Sequence, residues 1–432
     1  MNENEATEVK LHEKIFLHSL SLHCEDKETL GDDEMKKMEG VFQGLRPPHS
    51  NLRDLKICNY AGSKFPTWLE DSAFSNLVKV ELRGCKKCEL LPGLGNLHSL
   101  EFLKIYAADA VKEVGSEFYG DGYDNVCFRN LEQLCFDSML SWEKWELTEG
   151  HGDVMPSLKK LKIVRCHKLK ALPDLLPNKL EEVVIEQCEE IVWMARNPLL
   201  RLEDLRLSGN RRGIFSNSLP DLPALKILDS IESSDKSLPS DGWGLLESLH
   251  TLNISYCPRL ASLPDGLEQL KALRTLAILG CYQLLSLPEG LGQLEALQTI
   301  KIRHCYGLTS LLNGSGRFKA LQNICIIRCT KLKSLSDGLV QLEALETVCV
   351  HDCTELQSLF GGFEQLKSLR SLDICDCPKL KPLSNLQHLT TLEELKIACC
   401  PVVTEQLEKE IEEDWRNLSH ITRIVIDFQR IQ

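Results

Sequence analysis

From Leu249 onward the chain repeats itself. The pattern L-x-x-L-x-I-x-x-C, with other aliphatic residues accepted at its inner positions, returns at Leu273, Leu297, Leu321, Leu345 and Leu369, each time after 24 residues, and again at Leu392 after 23. A period this short and persistent describes a stack of small supersecondary units, none able to bury its apolar face alone. The two or three separate domains that 432 residues would ordinarily suggest are therefore not expected, because the core of a stack grows with its length.

One unit reads Leu249, Leu252, Ile254, Cys257, Leu260, Leu263, Pro264, Gly266, Leu267 and Leu270. Leu252 and Ile254 are two apart, the period of a strand with one buried face. From Gly266 the leucine spacing becomes three, as in a short helix or 3₁₀ turn, and Pro264 marks the bend. The expected fold class is α/β: a leucine-rich-repeat solenoid (horseshoe), with a parallel sheet on the concave face and short helices, 3₁₀ turns and loops on the convex face. An aromatic content of only 6% suits a core built from one recurring aliphatic residue.

Four segments follow. Residues 1–50 begin the array with a polar N-terminus and a first strand at Leu17–Leu20–Leu22. Residues 51–245 carry irregular repeats, with strands expected around Ile57, Leu82, Ile105, Phe136, Ile163, Ile185 and Leu207. Longer excursions, Glu113–Asn130, Ser141–Met155 and Arg211–Gly244, separate some of them, and Leu222–Leu225–Ile227 reads as a degenerate strand. Residues 246–403 hold the regular 23–24-residue repeats, and residues 404–432 a capping helix and last strand. In that helix Leu407, Ile411, Trp415 and Leu418 fall on one face, with Thr404 as N-cap. The N-terminus shows no comparable cap, so the chain reads as a fragment or as one that has something packed against its start.

Ten of the nineteen cysteines occupy the ninth position of their unit, from Cys85 to Cys400, with Asn210 at the equivalent place in another. Strands about 4.8 Å apart would let neighbouring thiols bridge or share a metal. A small buried side chain at the end of a strand is the plainer reading. Cys85-x-x-Cys88 has no second pair at zinc-site spacing, so no metal or cofactor is expected. Ser157-x-x-Lys160 straddles a repeat leucine and lacks companion motifs, and no phosphate loop, nucleophile elbow or H-E-x-x-H helix is present. The chain is read as no enzyme. A net charge of −13 disfavours nucleic acid, and no apolar run is long enough to span a bilayer. The sequons at Asn253, Asn313 and Asn417 are read as chance matches.

Residues between the buried strand positions would form the concave face. The candidate protein-binding set is Lys79, Lys104, Lys160 and Lys162 in the earlier half, then Thr299, Lys301, Arg303, Asn323, Ile327, Thr347, His351 and Asp373. The earlier stretch is rich in Lys. The later one mixes polar residues, cysteines (Cys325, Cys349) and isolated apolar groups such as Leu279.

These residues bring a family into view. The phrase GLRPPHSNLRDLKICNYAGSKFPTWL (Gly44 to Leu69) closely resembles the repeat region of plant intracellular nucleotide-binding, leucine-rich-repeat immune receptors of the coiled-coil class. So do LRGCKKCELLPGLGNLHSLEFLKI, VGSEFYGDG and EDWRNLSHITRIVIDF. The resemblance spans essentially the whole chain, but the family's nucleotide-binding and N-terminal signalling domains are absent from it. It implies a recognition and regulatory domain that detects a pathogen effector or a guarded host protein and restrains the receptor's nucleotide-binding module. It also implies a cytoplasmic location, with a nuclear pool compatible. An extracellular repeat receptor would be expected to show an I-P motif, a signal peptide and paired cysteine caps, and an adaptor an F-box-like helical segment.

Overall fold

The computed structural model describes residues 2–25, 31–120, 126–146, 154–193, 197–210, 215, 219–231, 238–311, 316–335, 339–340, 342–360, 366–383, 386–414 and 418–431. Asn313, Trp415 and Asn417, and parts of the expected excursions, lie outside them. The chain divides near residue 220 into two compact units.

The first unit contains β1 (Ser19–His23), β2 (Asp54–Cys58), β3 (Lys79–Arg83), β4 (Phe102–Tyr106), β5 (Gln133–Asp137), β6 (Lys160–Val164), β7 (Glu182–Glu186) and β8 (Asp204–Ser208). Each pairs in parallel with the next in chain order. The second contains β9 (Ile227–Ile231), β10 (Thr251–Ser255), β11 (Thr275–Leu279), β12 (Thr299–Arg303), β13 (Asn323–Ile327), β14 (Thr347–His351), β15 (Ser371–Cys375), β16 (Glu394–Ala398) and β17 (Arg423–Ile426). These too pair in parallel in chain order. Each unit is thus a parallel-strand leucine-rich-repeat solenoid.

The register turns single residues into rows. Ile302, Ile326, Val350, Ile374 and Ile397 stand opposite one another on successive strands, and every one is 0% exposed. Side chains alternate along a strand, so Lys301 and Arg303 on either side of Ile302 are exposed. An aliphatic residue buried in this way contributes roughly 1.5–3 kcal/mol, and here its partners come from neighbouring repeats.

A corner ends most strands. Gly84 (φ 68), Tyr256 (φ 50), Gly280 (φ 68), His304 (φ 56) and Arg328 (φ 56) adopt left-handed backbone directly after their strand. For a residue with a Cβ this costs about 1–2 kcal/mol. The corner offsets it by aiming its N–H at the last carbonyl of the next strand: Tyr256 donates to Leu279 O at 2.6 Å, His304 to Ile327 O at 2.9 Å and Arg328 to His351 O at 2.9 Å. The turn also drops the following cysteine into the core. Its thiol donates back to the carbonyl two residues earlier, as in Cys257 to Ser255 O (3.5 Å), Cys353 to His351 O (3.4 Å) and Cys400 to Ala398 O (3.2 Å). Asn210 fills the same place with an amide that accepts from Cys188 N at 3.1 Å. All nineteen cysteines are free thiols.

Several expectations change. The N-terminal end is not bare: α1 (Glu3–Glu8) is capped by Asn2 and packs on α2 (Asp32–Gly44), burying Ala6 and Phe42. The sequence carries this second helix in the acidic turn Asp32, Asp33, Glu34 and the spacing Met35, Met38, Phe42, which a search for leucine repeats passes over. The degenerate strand sits three residues later than expected, with Leu228 opposite Leu252 and Ser230 opposite Ile254. A serine in a core row hid the register.

Around the excursions, Glu113–Val114 pairs with Lys144–Trp145, and a helical turn, α3 (Ser116–Tyr119), lies beside them. Phe118, Tyr119, Phe128, Phe136 and Trp142 are buried there, and Trp145 Nε1 donates to Tyr119 OH at 2.8 Å. Finally, α4 (Pro401–Asp414) opens on a proline, whose fixed φ and missing N–H suit the first helical position. Thr404 is therefore inside the helix rather than its N-cap; its N–H donates to Cys400 O at 2.9 Å.

Ile302→Asp should unfold the second unit's repeats or remove more than about 4 kcal/mol, because it buries an unpaired carboxylate. Alanine at Lys301, Arg303 and Asn323 together should cost only about 0.5 kcal/mol per site. Thermal and denaturant unfolding distinguish the two; an Ile302→Asp protein as stable as the parent would refute the strand register.

Candidate protein-binding face

The residues that alternate with the buried rows share one open sheet face in each unit. In the first unit Lys79, Lys104, Lys160 and Lys162 all lie on it, yet three of them face carboxylates. Lys79 Nζ is 2.9 Å from Glu81 and 5.2 Å from the centroid of the Phe102 ring. Lys160 is 3.0 Å from Glu182, and Lys162 is 3.9 Å from Glu186. Glu81 is only 8% exposed; burial would raise its carboxyl, but hydrogen bonds and charge from Lys79 and Arg83 prevail and hold it below its ordinary value. The lysine-rich stretch of sequence is thus a mixed lattice of charge. Its acidic half was legible once the strands are aligned, since Lys160 and Glu182 occupy the same repeat position.

Beside Tyr106, 38% exposed, lies a cleft of about 470 Å³. Lys56, Arg83, Lys86 and Lys104 line it, with Asp137 at its edge and held by Arg165 at 2.5 Å.

In the second unit the same arithmetic of register lays out three rows. The first is Thr275, Thr299, Asn323, Thr347 and Ser371; the middle is Ala277, Lys301, Cys325, Cys349, Asp373 and Lys396; the last is Leu279, Arg303, Ile327, His351 and Cys375. Lys301 and Arg303 are exposed, and Thr299, Asn323, Ile327, Thr347, His351 and Asp373 are half-buried. Asn323 Nδ2 donates to Thr299 Oγ1 at 3.4 Å. The sequence reading missed Tyr282 and Tyr306 on the flank, 43% and 40% exposed and stacked at 5.4 Å. Their signal is an aromatic directly after the ladder cysteine in consecutive repeats.

One contact on this face is titratable near neutrality. His351 Nε2 lies 3.0 Å from Asp373 Oδ1, and that hydrogen bond, ahead of the carboxylate's charge, holds the imidazole above its ordinary 6.5. A raised histidine stabilises the fold fully below the unfolded value and loses that contribution as pH rises through the folded one. The His351 ring should therefore titrate above 6.5 by NMR, and Asp373→Asn should lower its midpoint. The stability gap between parent and Asp373→Asn should be largest in mildly acidic buffer and close with rising pH. A parent midpoint at or below 6.5 would refute the pairing.

Among the described residues, no helix is long and apolar enough to cross a membrane. Residues 1–108 match the family described as R13L1/DRL21 LRRs. Over 145 residues, 32% of this chain, it is 41% identical to a putative disease resistance RPP13-like protein 1 of Arabidopsis thaliana, covering 14% of that relative. Over 270 residues, 61% of this chain, it is 30% identical to the putative disease resistance protein RGA1 of Solanum bulbocastanum, covering 23% of it. The matched region thus spans less than a quarter of either relative. Among solved structures, the leucine-rich repeat domain of the type III effector XopL is similar at 23% identity and a TM-score of 0.36, covering 45% of this chain and 67% of that one. The chain is a leucine-rich-repeat array whose first 108 residues match the R13L1/DRL21 LRR family and which is similar in sequence to plant disease-resistance proteins.

Proposed function

We propose that this array is the recognition and regulatory domain of a plant innate immune receptor, working from the cytoplasm and without catalysis. The later open face, from Thr299 to Asp373, detects a pathogen effector or a guarded host protein. The earlier face restrains a nucleotide-binding module. The observation that carries the reading is the division of labour within each strand: alternate residues build a continuous core, and those between them stand uncovered on consecutive strands. A surface of this kind can change its side chains without disturbing the scaffold. Similarity to disease-resistance proteins supports the biological setting.

For the restraint surface, Lys56 and Lys104 line the cleft beside Tyr106, whereas Lys79, Lys160 and Lys162 each lie against a carboxylate. An acidic patch on the nucleotide-binding module is its natural complement.

Two measurements test the halves separately. Lys56→Glu with Lys104→Glu should weaken association with the separately produced nucleotide-binding module of a coiled-coil-class receptor, most strongly at low salt. Unchanged affinity at low salt would move the restraint surface elsewhere. Alanine at Lys301, Arg303 and Asn323 should leave the fold intact and abolish effector-triggered cell death when the array replaces its counterpart in a relative. Full response in that replacement would shift recognition to the flank, where Tyr282 and Tyr306 lie.

A further inference from the structure

Nineteen thiols are present, ten of them ladder cysteines. Cys135 stands mid-strand between Lys104 and Lys162 with no cysteine opposite it, whereas Cys325 and Cys349 form a pair. Each is the middle residue of its strand, flanked by core residues (Ile324 and Ile326; Val348 and Val350), so both side chains point to the open face. They stand directly opposite each other in adjacent parallel strands. Strands about 4.8 Å apart place such Cα atoms inside the range that a disulfide spans.

Their surroundings are built from the two adjoining strands. Arg303, on β12, directs Nη2 to Cys325 Sγ at 3.7 Å. Lys301 is the residue opposite Cys325 on that same strand. On the other side His351 Nε2 is 3.7 Å from Cys349 Sγ and 3.0 Å from Asp373, which stands opposite Cys349. The Asp373 contact favours the protonated imidazole, so cationic groups flank the pair on both sides.

We propose that Cys325 and Cys349 form a hydroperoxide-sensitive thiol pair on the open sheet face, with Cys325 the attacking sulfur and Cys349 the resolving one. The Cys325 thiolate attacks the terminal oxygen of the hydroperoxide. An S–O bond forms, the O–O bond breaks, and the alcohol or water departs with one proton; the sulfur is oxidised to a sulfenic acid. Cys349 then attacks that sulfur, the S–O bond breaks, and water leaves with the Cys349 proton as the disulfide forms. The thiol of Cys349, donating toward Cys325, and then Arg303 hold Cys325 down to about 6, whereas the same contact and burial push Cys349 up. The permanent positive charge of Arg303, 3.7 Å from Cys325 Sγ, assigns Cys325 the attacking role. Thiol reductants should reverse the bridge.

The contrast that makes this testable is Cys399. It is the exposed cysteine of the chain, yet desolvation, and then Asp376 and Asp427 beside it, push its thiol up. Access alone predicts that Cys399 reacts first; ionisation predicts Cys325. With the full chain and substoichiometric iodoacetamide at pH 7, peptide mapping should find Cys325 labelled roughly tenfold faster than Cys399. Arg303→Gln should narrow that ratio. Hydrogen peroxide should then remove two hydrogens from the protein mass, with the bridge mapped to the peptides holding Cys325 and Cys349 and reversed by dithiothreitol. In Cys349→Ser, the sulfenic acid should persist on Cys325 and be captured by dimedone. Faster labelling of Cys399, or peroxide modification that leaves Cys325 reduced, would overturn the proposal, and neither outcome bears on what the face docks.

Discussion

The corner that ends most strands is the interaction on which both units depend. A left-handed residue such as His304 or Arg328 does two things at once: it stops the strand, and it hands its N–H to the following repeat. The first fixes where the ladder cysteine enters the core. The second fixes the spacing and register of the next strand. Burial of the aliphatic rows supplies most of the driving force, but burial is non-directional and would tolerate a slipped stack. A one-residue slip would turn every row inside out, exposing Ile302 and burying Lys301. The corner hydrogen bonds exclude it.

That division explains what could be read from the residues. The aliphatic rows were legible because each demands the same side chain every 24 positions. The strand at Ile227–Ile231 was misplaced by three residues because Ser230 interrupts a row that the corner and its neighbours maintain. The α1–α2 pair was missed because its packing uses Ala6 and Phe42 rather than leucines. Proline, not threonine, opens α4, since Thr404 looks like a cap only when Pro401 is read as a stop signal.

The candidate face was half legible for a related reason. Which residues lie on it follows from alternation, and the side chains named from sequence do stand there. What they do to one another depends on residues 22 to 28 positions away, such as Lys160 with Glu182 and Arg165 with Asp137. Composition along the chain therefore overstated the basic character of the first unit. Read across the strands instead of along them, the same letters show alternating charge there and, in the second unit, two thiols side by side between cations.

The corners also give each stack a chemical direction. The corner N–H groups from Tyr256 to Asp376 all point toward the repeat that follows, so an unfinished stack presents unmet donors at its last strand and unmet acceptors at its first. The second unit resolves this where its sheet closes: β17 is one residue shorter than the strands before it, and Cys399 N donates instead to Asp427 Oδ1 at 2.7 Å. A carboxylate side chain there does the work that a backbone carbonyl does at the corners from Tyr256 to Asp376. The two ends are consequently not interchangeable. A segment grafted after β16 must bring an acceptor to that corner, while one grafted before a first strand must bring donors, and stacks joined head to head would set like groups against each other.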